Sequence, residues 1–253
     1  VKLRNGKTVL DGFRQSGSMK CLFPRLPRSA FETVLVNTAG GVTGGDDFSF
    51  AGYAGQGTQL TVTTQACERA YRAQPGQTGT VRNNLRVASN ARINWLPQET
   101  ILFDQSSLNR KLAVEMAPDA TLLLVEPLVL GRAAMGETVN DATLKDRIDI
   151  RRDGTPLYLD ALRLEGDVTA HFANPFIANG AGAMASVVYV ANNAEAHLNT
   201  LRDLLPDTAG ASLLQPDVLV MRVLAEDSFV LRKSLIPALT LLNKAPLPRC
   251  WMI

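Results

Sequence analysis

Thr58-Gln59-Leu60-Thr61-Val62-Thr63-Thr64 is the stretch that decides the fold class. Leu60 and Val62 fall on one face while Thr61 and Thr63 fall on the other, the period-two alternation of a half-buried β-strand. The same signal recurs on both sides of it. Strand-like runs are expected at 31–36, 80–88, 92–96, 111–116, 121–125, 145–151, 156–164, 183–190 and 217–224. Turn chemistry separates several of them: Pro75-Gly76, Ser89-Asn90, Pro118-Asp119 and Asp153-Gly154. Strands this close together, with no helix between them through the first two thirds, argue for a mainly β body.

Two helices are expected late in the chain. One runs through 195–205, with Leu198, Leu201 and Leu205 at spacings of three and four and Asn193 as its cap. The other covers about 227–242, with Val230, Leu231, Leu235 and Leu239 on its apolar side. Pro237 is expected to kink or shorten it. No internal repeat of fixed period and no linker is visible, so residues 1–253 read as one domain.

Composition excludes several classes. The 253 residues carry 26 basic and 24 acidic side chains, too balanced for a nucleic-acid-binding footprint. Cys21, Cys67 and Cys250 are too few and too far apart for a disulfide framework or a zinc signature. Residues 168–194 carry no Asp, Glu, Lys or Arg, but Pro175, Gly180, Gly182 and four asparagines make them a poor membrane span. No secretory signal is visible from Val1 onward, and the expectation is a cytoplasmic protein without a membrane partner.

Four segments concentrate candidate chemistry. Asn37–Asp47 holds four glycines at 40, 41, 44 and 45, but Asp46 and Asp47 stand where a phosphate loop needs Lys and Ser or Thr. It is either a set of bends or a carboxylate offered to a cation or a partner. Thr63–Arg72 carries Cys67, Glu68, Arg69 and Arg72; strand alternation sets Cys67, Arg69 and Tyr71 opposite Glu68 and Arg72. No histidine lies near to activate the thiol. Asn94–Asp104 and Val125–Glu137 each place a carboxylate inside an apolar run. Glu126, between Leu122–Val125 and Pro127–Leu130, must pair with Arg132 or another arginine, or face a polar space. His197 reads as a surface or packing residue; His171 is the better candidate for a ligand or hinge, although a lone histidine is more often structural. No GxSxG elbow or Ser/His/Asp order is present.

Taken together, NTAGGVTGGD (37–46), TTQACERAYR (63–72), WLPQETILFD (95–104) and EPLVLGRAAMGE (126–137) resemble the urease accessory protein family UreD, also called UreH. RRDGTPLYLDALRL (151–164), GAGAMASVVYV (180–190) and LPRCWMI (247–253) continue the match in order. Two departures are Gln105, where glycine commonly follows the aspartate, and Thr143-Leu144-Lys145, where Phe-Arg is common before the aspartate.

The resemblance implies a β-helix-like body of stacked strands with two α-helices, and a role that is not enzymatic. The implied partners are the urease apoprotein and UreF, with the GTPase UreG recruited through UreF. Nickel is implied to cross an internal tunnel, held only transiently. Asp46, Glu68, Asp104 and Glu126 are the expected lining, because scattered carboxylates release Ni²⁺ where clustered imidazole and thiolate retain it. Arg249, Cys250, Trp251, Met252 and Ile253 are the expected UreF contact, or else a plug closing the body. The alternatives are a β-solenoid carbohydrate-active enzyme and a purely structural scaffold.

Overall fold

The strand at 58–64 is not half-buried: in the computed structural model, which describes residues 1–25, 30–243 and 245–252, Thr61 and Thr63 are as covered as Leu60 and Val62. The reason lies in what the strand pairs with. β1 (Lys2–Arg4) and β2 (Lys7–Val9) form a small antiparallel ribbon at the start of the chain. After β3 (Met19–Leu22), β4 (Phe31–Asn37), β5 (Asp47–Ala54), β6 (Gln59–Thr64), β7 (Glu68–Ala70), β8 (Gly79–Val87), β9 (Arg92–Leu96), β10 (Thr100–Leu102), β11 (Ser107–Met116), β12 (Thr121–Leu130) and β13 (Ala142–Arg152) coil around one axis. β4, β6, β9 and β12 pair in parallel along one wall. β5, β8, β11 and β13 pair in parallel along a second. β7, β10 and the end of β12 make a short parallel third wall, extended by a Val42–Ala70 bridge. The result is a β-solenoid of about four turns.

Antiparallel strands finish both main walls. β14 (Thr155–Gly166) closes the second. β15 (Ala183–Val190), β17 (Val218–Ala225) and β16 (Ala209–Gln215) extend the first beyond β12, and β3 borders β4 at its other end. Parallel walls are stable when both faces are covered, so their strands read as nearly continuous apolar runs. β12 shows this: Leu122 and Leu124 point into the solenoid, whereas Leu123 and Val125 point out against helices.

The helical layer covers that outer face. α2 (Leu198–Leu204) is preceded by a 3₁₀ turn at Glu195–His197, and Asn193 bonds Tyr189 and His197 rather than capping the helix. α3 (Ser228–Asn243) starts at Asp227, whose carboxylate accepts the Val230 amide at 2.8 Å. It runs through Pro237, which does not shorten it; Pro237 and Lys233 are both exposed, so the carbonyl left without an amide donor is on the wet side. One helix was not foreseen, α1 (Val168–Ala173), where the Asp167 carboxylate accepts the Ala170 amide. Among the described residues no helix is long and apolar enough to cross a membrane.

The interior divides into separate apolar clusters. One fills the solenoid between Leu60, Ile93, Leu112, Leu122 and Ile150. Another lies toward the third wall and α1, around Leu102, Leu108, Leu128, Leu144 and Phe172. What separates them is polar.

Candidate polar passage

The inward face of β11 reads Leu108, Arg110, Leu112, Val114, Met116, and that of β13 reads Leu144, Asp146, Ile148, Ile150. Each therefore places one charge in an otherwise apolar row, and the register sets Arg110 directly beside Asp146. On the facing wall Glu126 pairs with Ser186, and Ser186 with Arg222. Thus a charged layer crosses the body between the two apolar clusters.

Arg110 is its centre, with a side chain only 8 % exposed. Its Nη1 lies 2.6 Å from Glu126 Oε2, and its Nη2 and Nε bond Asp146 at 2.5 and 3.0 Å. Nη1 also donates to Thr100 Oγ1 at 2.9 Å, and Trp95 Nε1 donates to Glu126 Oε1 at 2.7 Å. Burial pushes the Glu126 carboxyl up; Arg110 pulls it back, and Asp146 reinforces the rise. Burial alone would lower the Arg110 pKa, but Asp146 and Glu126 outweigh it and hold the guanidinium charged.

Cavities lie on both sides of this pair, and both are lined by Arg110 and Glu126. The larger, about 240 Å³, reaches Asn37, Cys67, Glu68, Arg69 and Gln98. The smaller, about 20 Å³, is bounded by Asp146, Asp160, Ser186 and Arg222. That is space for roughly a single water, against many in the larger one. Arg222 donates to Asp160 and, at 3.1 Å, to Ser186 Oγ.

Two of the four expected lining carboxylates border these cavities. Glu68 borders the larger one; Asn37 Nδ2 donates to its two oxygens at 3.1 and 3.2 Å, and burial pushes its pKa up. Glu126 borders both. Asp46 lies near Glu68 but caps its own turn, accepting the Thr43 amide at 2.8 Å. Asp104 sits at a coil corner, where its Oδ1 accepts the amides of Asn140 and Asp141 at 2.8 and 3.0 Å. Neither of these two borders the cavities described. Gln105, beside it, has φ +62°, the left-handed backbone that suits glycine.

The partner of Glu126 is Arg110, not Arg132, which pairs with Glu137 at 2.7 Å. Cys67 and Glu68 both border the larger cavity; the thiol donates to Glu99 at 3.3 Å, whereas the Glu68 carboxylate accepts from Asn37. The Cys67 thiol is pushed up to about 11, by burial first and then by Glu99, so at neutral pH it is a thiol and a poor metal ligand. Among the described residues no group of three or more His, Cys, Asp or Glu is placed to hold a metal.

Arg110, Asp146, Asp160 and Arg222 were not expected from sequence. The usable signal was a charge at an inward position of an alternating strand, as in Leu108-x-Arg110-x-Leu112. Glu99 was also missed as a structural pair. Its side chain, 1 % exposed, bonds Arg232 of α3 at 2.6 and 2.8 Å, and Arg232 also reaches Gln98. Burial opposes ionisation of Glu99, but Arg232 overcomes it and leaves the pKa below the ordinary 4.5. A lowered carboxyl pKa means that the unfolded chain takes up protons first as acid is added. The pair's contribution is therefore full above pH 4.5 and lost as pH falls through the folded-state value. In an acid titration followed by tryptophan fluorescence, wild-type stability should decline below about pH 4.5. Glu99→Gln should start less stable and lose less over the same interval; equal losses would dissociate the pair from acid sensitivity.

At the C-terminus, Trp251 is buried at 1 % exposure against Leu96 and α3, donating to the Leu96 carbonyl at 3.0 Å, with Arg232 stacked over its ring. Arg249 is exposed, Cys250 is half-buried near Gln65, and Met252 is 68 % exposed. Ile253 lies outside the described residues.

A family model described as UreD urease accessory protein matches residues 1–252. A urease accessory protein UreD of Ruegeria pomeroyi is 64 % identical over 253 residues, covering 100 % of this chain and 98 % of that protein. One of Roseobacter denitrificans is 52 % identical, covering 98 % and 91 % respectively. One of Rhizobium etli is 42 % identical, covering 99 % and 92 %.

Proposed function

Since the chain belongs to the UreD family of urease accessory proteins, with a role in urease maturation, we propose that it binds the urease apoprotein and UreF, with UreG recruited through UreF, and that nickel crosses its body along the polar layer. The observation carrying the nickel reading is the charged layer between two apolar clusters, with cavities on both sides of Arg110 and Glu126. Buried ion pairs are a poor source of stability, because desolvation offsets most of their attraction.

Its donor set suits cargo rather than a resident ion. Carboxylates with water bind divalent nickel weakly, whereas thiolate and imidazole would retain it. Cys67, protonated at neutral pH, does not upset that balance. Glu68 receives the ion in the wide cavity, and Glu126 passes it toward Asp146 and Asp160. Asp46 acts indirectly, by fixing the turn beside Glu68, and Asp104 by fixing a coil corner away from the cavities.

The test is activation of apo-urease reconstituted with UreF, UreG and either the wild-type chain or variants Glu68→Gln and Glu126→Gln. Each variant should clearly lower activation, because an amide replaces a carboxylate that would bind the ion, while UreF and apo-urease still co-purify with it. Full activation by Glu126→Gln with assembly intact would remove nickel from the layer and leave a scaffold alone.

A further inference from the structure

The polar layer is not an open channel, because a cation, Arg110, stands where the two cavities meet. The Arg110 guanidinium lies between Glu126 and Asp146, bonded to Asp146 by two nitrogens and 2.6 Å from Glu126. The two cavities meet at this pair, each bounded by both Arg110 and Glu126. A metal ion in the larger cavity thus faces a fixed positive charge before the smaller one.

The two sides of the guanidinium are held unequally. Toward Asp146 the contact is a two-bond fork, the strongest arrangement available to arginine. Toward Glu126 the contact is close but off the line of a hydrogen bond. Glu126 Oε2 accepts no aligned bond, although its side chain is 4 % exposed. Its Oε1 is fixed by the Trp95 indole. This buried carboxylate oxygen is thus paired to the guanidinium by charge at 2.6 Å without an aligned hydrogen bond. Such an atom is costly without a cation beside it, and Arg110 is the cation that compensates it here.

Building on the passage reading, we propose that Arg110 is a displaceable counter-ion: Glu126 and Asp146 form a divalent-cation site that the guanidinium fills and closes when no metal is present. A divalent ion enters on the Glu126 side, where the guanidinium is held without an aligned bond. Arg110 then leaves its Asp146 fork and keeps its bond to Thr100. Two carboxylates can balance one divalent ion only when the guanidinium no longer serves them both. Entry and release are therefore exchanges of one cation for another, so the buried carboxylates need not be left uncompensated during transfer. No covalent step is involved.

The experiment is equilibrium dialysis of the purified full chain against Ni²⁺, with wild type, Arg110→Gln, Arg110→Lys and the double variant Arg110→Gln/Glu126→Gln. Arg110→Gln should bind one additional nickel ion per chain, at least tenfold tighter than any wild-type binding at this site. The double variant should lose that ion. Arg110→Lys keeps the buried charge and guards against misfolding of the neutral variant; its ammonium cannot span both carboxylates, so it should bind nickel between the two extremes. If folded Arg110→Gln or Arg110→Lys binds no more nickel than wild type, the proposal is overturned. It is equally overturned if the double variant keeps the extra ion. Such a failure is distinct from failure of the passage, which is read by urease activation in the Glu68 and Glu126 variants.

Discussion

Replacing Trp251 by alanine should destabilise the chain by about 3–5 kcal/mol, the usual cost of removing a buried aromatic side chain. Trp251 is 1 % exposed and packs into the cluster shared by β12, β15, β17 and α3. It also donates its indole N–H to the Leu96 carbonyl, at the end of β9. Truncation leaves a cavity under Arg232, which stacks on the ring and pairs with Glu99. The helical layer would therefore loosen from the first wall at one place. Met252, 68 % exposed, provides the control: Met252→Ala should stay within about 0.5 kcal/mol of wild type. Urea unfolding of the two variants checks both values. The pair also separates two roles for the C-terminal segment. If Trp251→Ala is fully stable but no longer captures UreF, the indole serves the partner; if it is unstable, the indole serves this chain and the exposed neighbours Arg249 and Met252 remain the candidates for the proposed contact.

The second large effect belongs to Arg110→Met. The substitution keeps an unbranched side chain of similar reach but removes the cation between Glu126 and Asp146. Breaking a buried ion pair from one side costs about 3–5 kcal/mol, because the remaining charge is uncompensated. Here two carboxylates are left together, and Asp146 adds to the rise that burial already imposes on Glu126. A carboxyl whose folded-state pKa is raised contributes stability at low pH and loses it as pH climbs through that value. The variant should therefore be weakest at neutral pH and recover as pH is lowered from 7 toward 5. That is the opposite sign to the Glu99–Arg232 pair, which weakens only in acid. Adding Glu126→Gln to Arg110→Met should restore part of the loss at pH 7 by removing one of the two charges. Thermal melts at pH 5, 6 and 7 measure all of this; a pH-independent deficit would mean that lost packing, not charge, is responsible.

Much of the wall structure could be read from local pattern. The runs at 92–96 and 183–190 coincide with β9 and β15, since flanking turn residues and alternating or continuous apolar positions leave little choice of boundary. The run at 121–125 stopped too early: β12 continues through Pro127 to Leu130. β5 and β16 were not expected, being rich in Gly, Ala and Ser and only partly buried. No repeat was visible because stacking, not sequence identity, defines the coil. Phe31, Leu60, Ile93 and Leu122 occupy equivalent positions at intervals of 29, 33 and 29 residues. Loops of different length absorb the differences, and only the wall positions must agree.

By itself, the sequence determined the mainly β character, the late helices and, through seven ordered motifs, the family. Those properties rest on short-range information, because alternation, capping and motif order are all written in contiguous residues. Tertiary structure alone decided the polar layer. Arg110, Glu126 and Asp146 lie on three different strands, and Asp160 and Arg222 on two more. What brings them to one level is the register of parallel and antiparallel pairing, which no local pattern specifies. It also decided which carboxylates face inward: Glu126 does because β12 keeps its alternation through Pro127, while Asp104 turns to the amides of Asn140 and Asp141 at a corner. A charge's chemistry here depends on which face of the coil it occupies, and the face is fixed only when the coil closes.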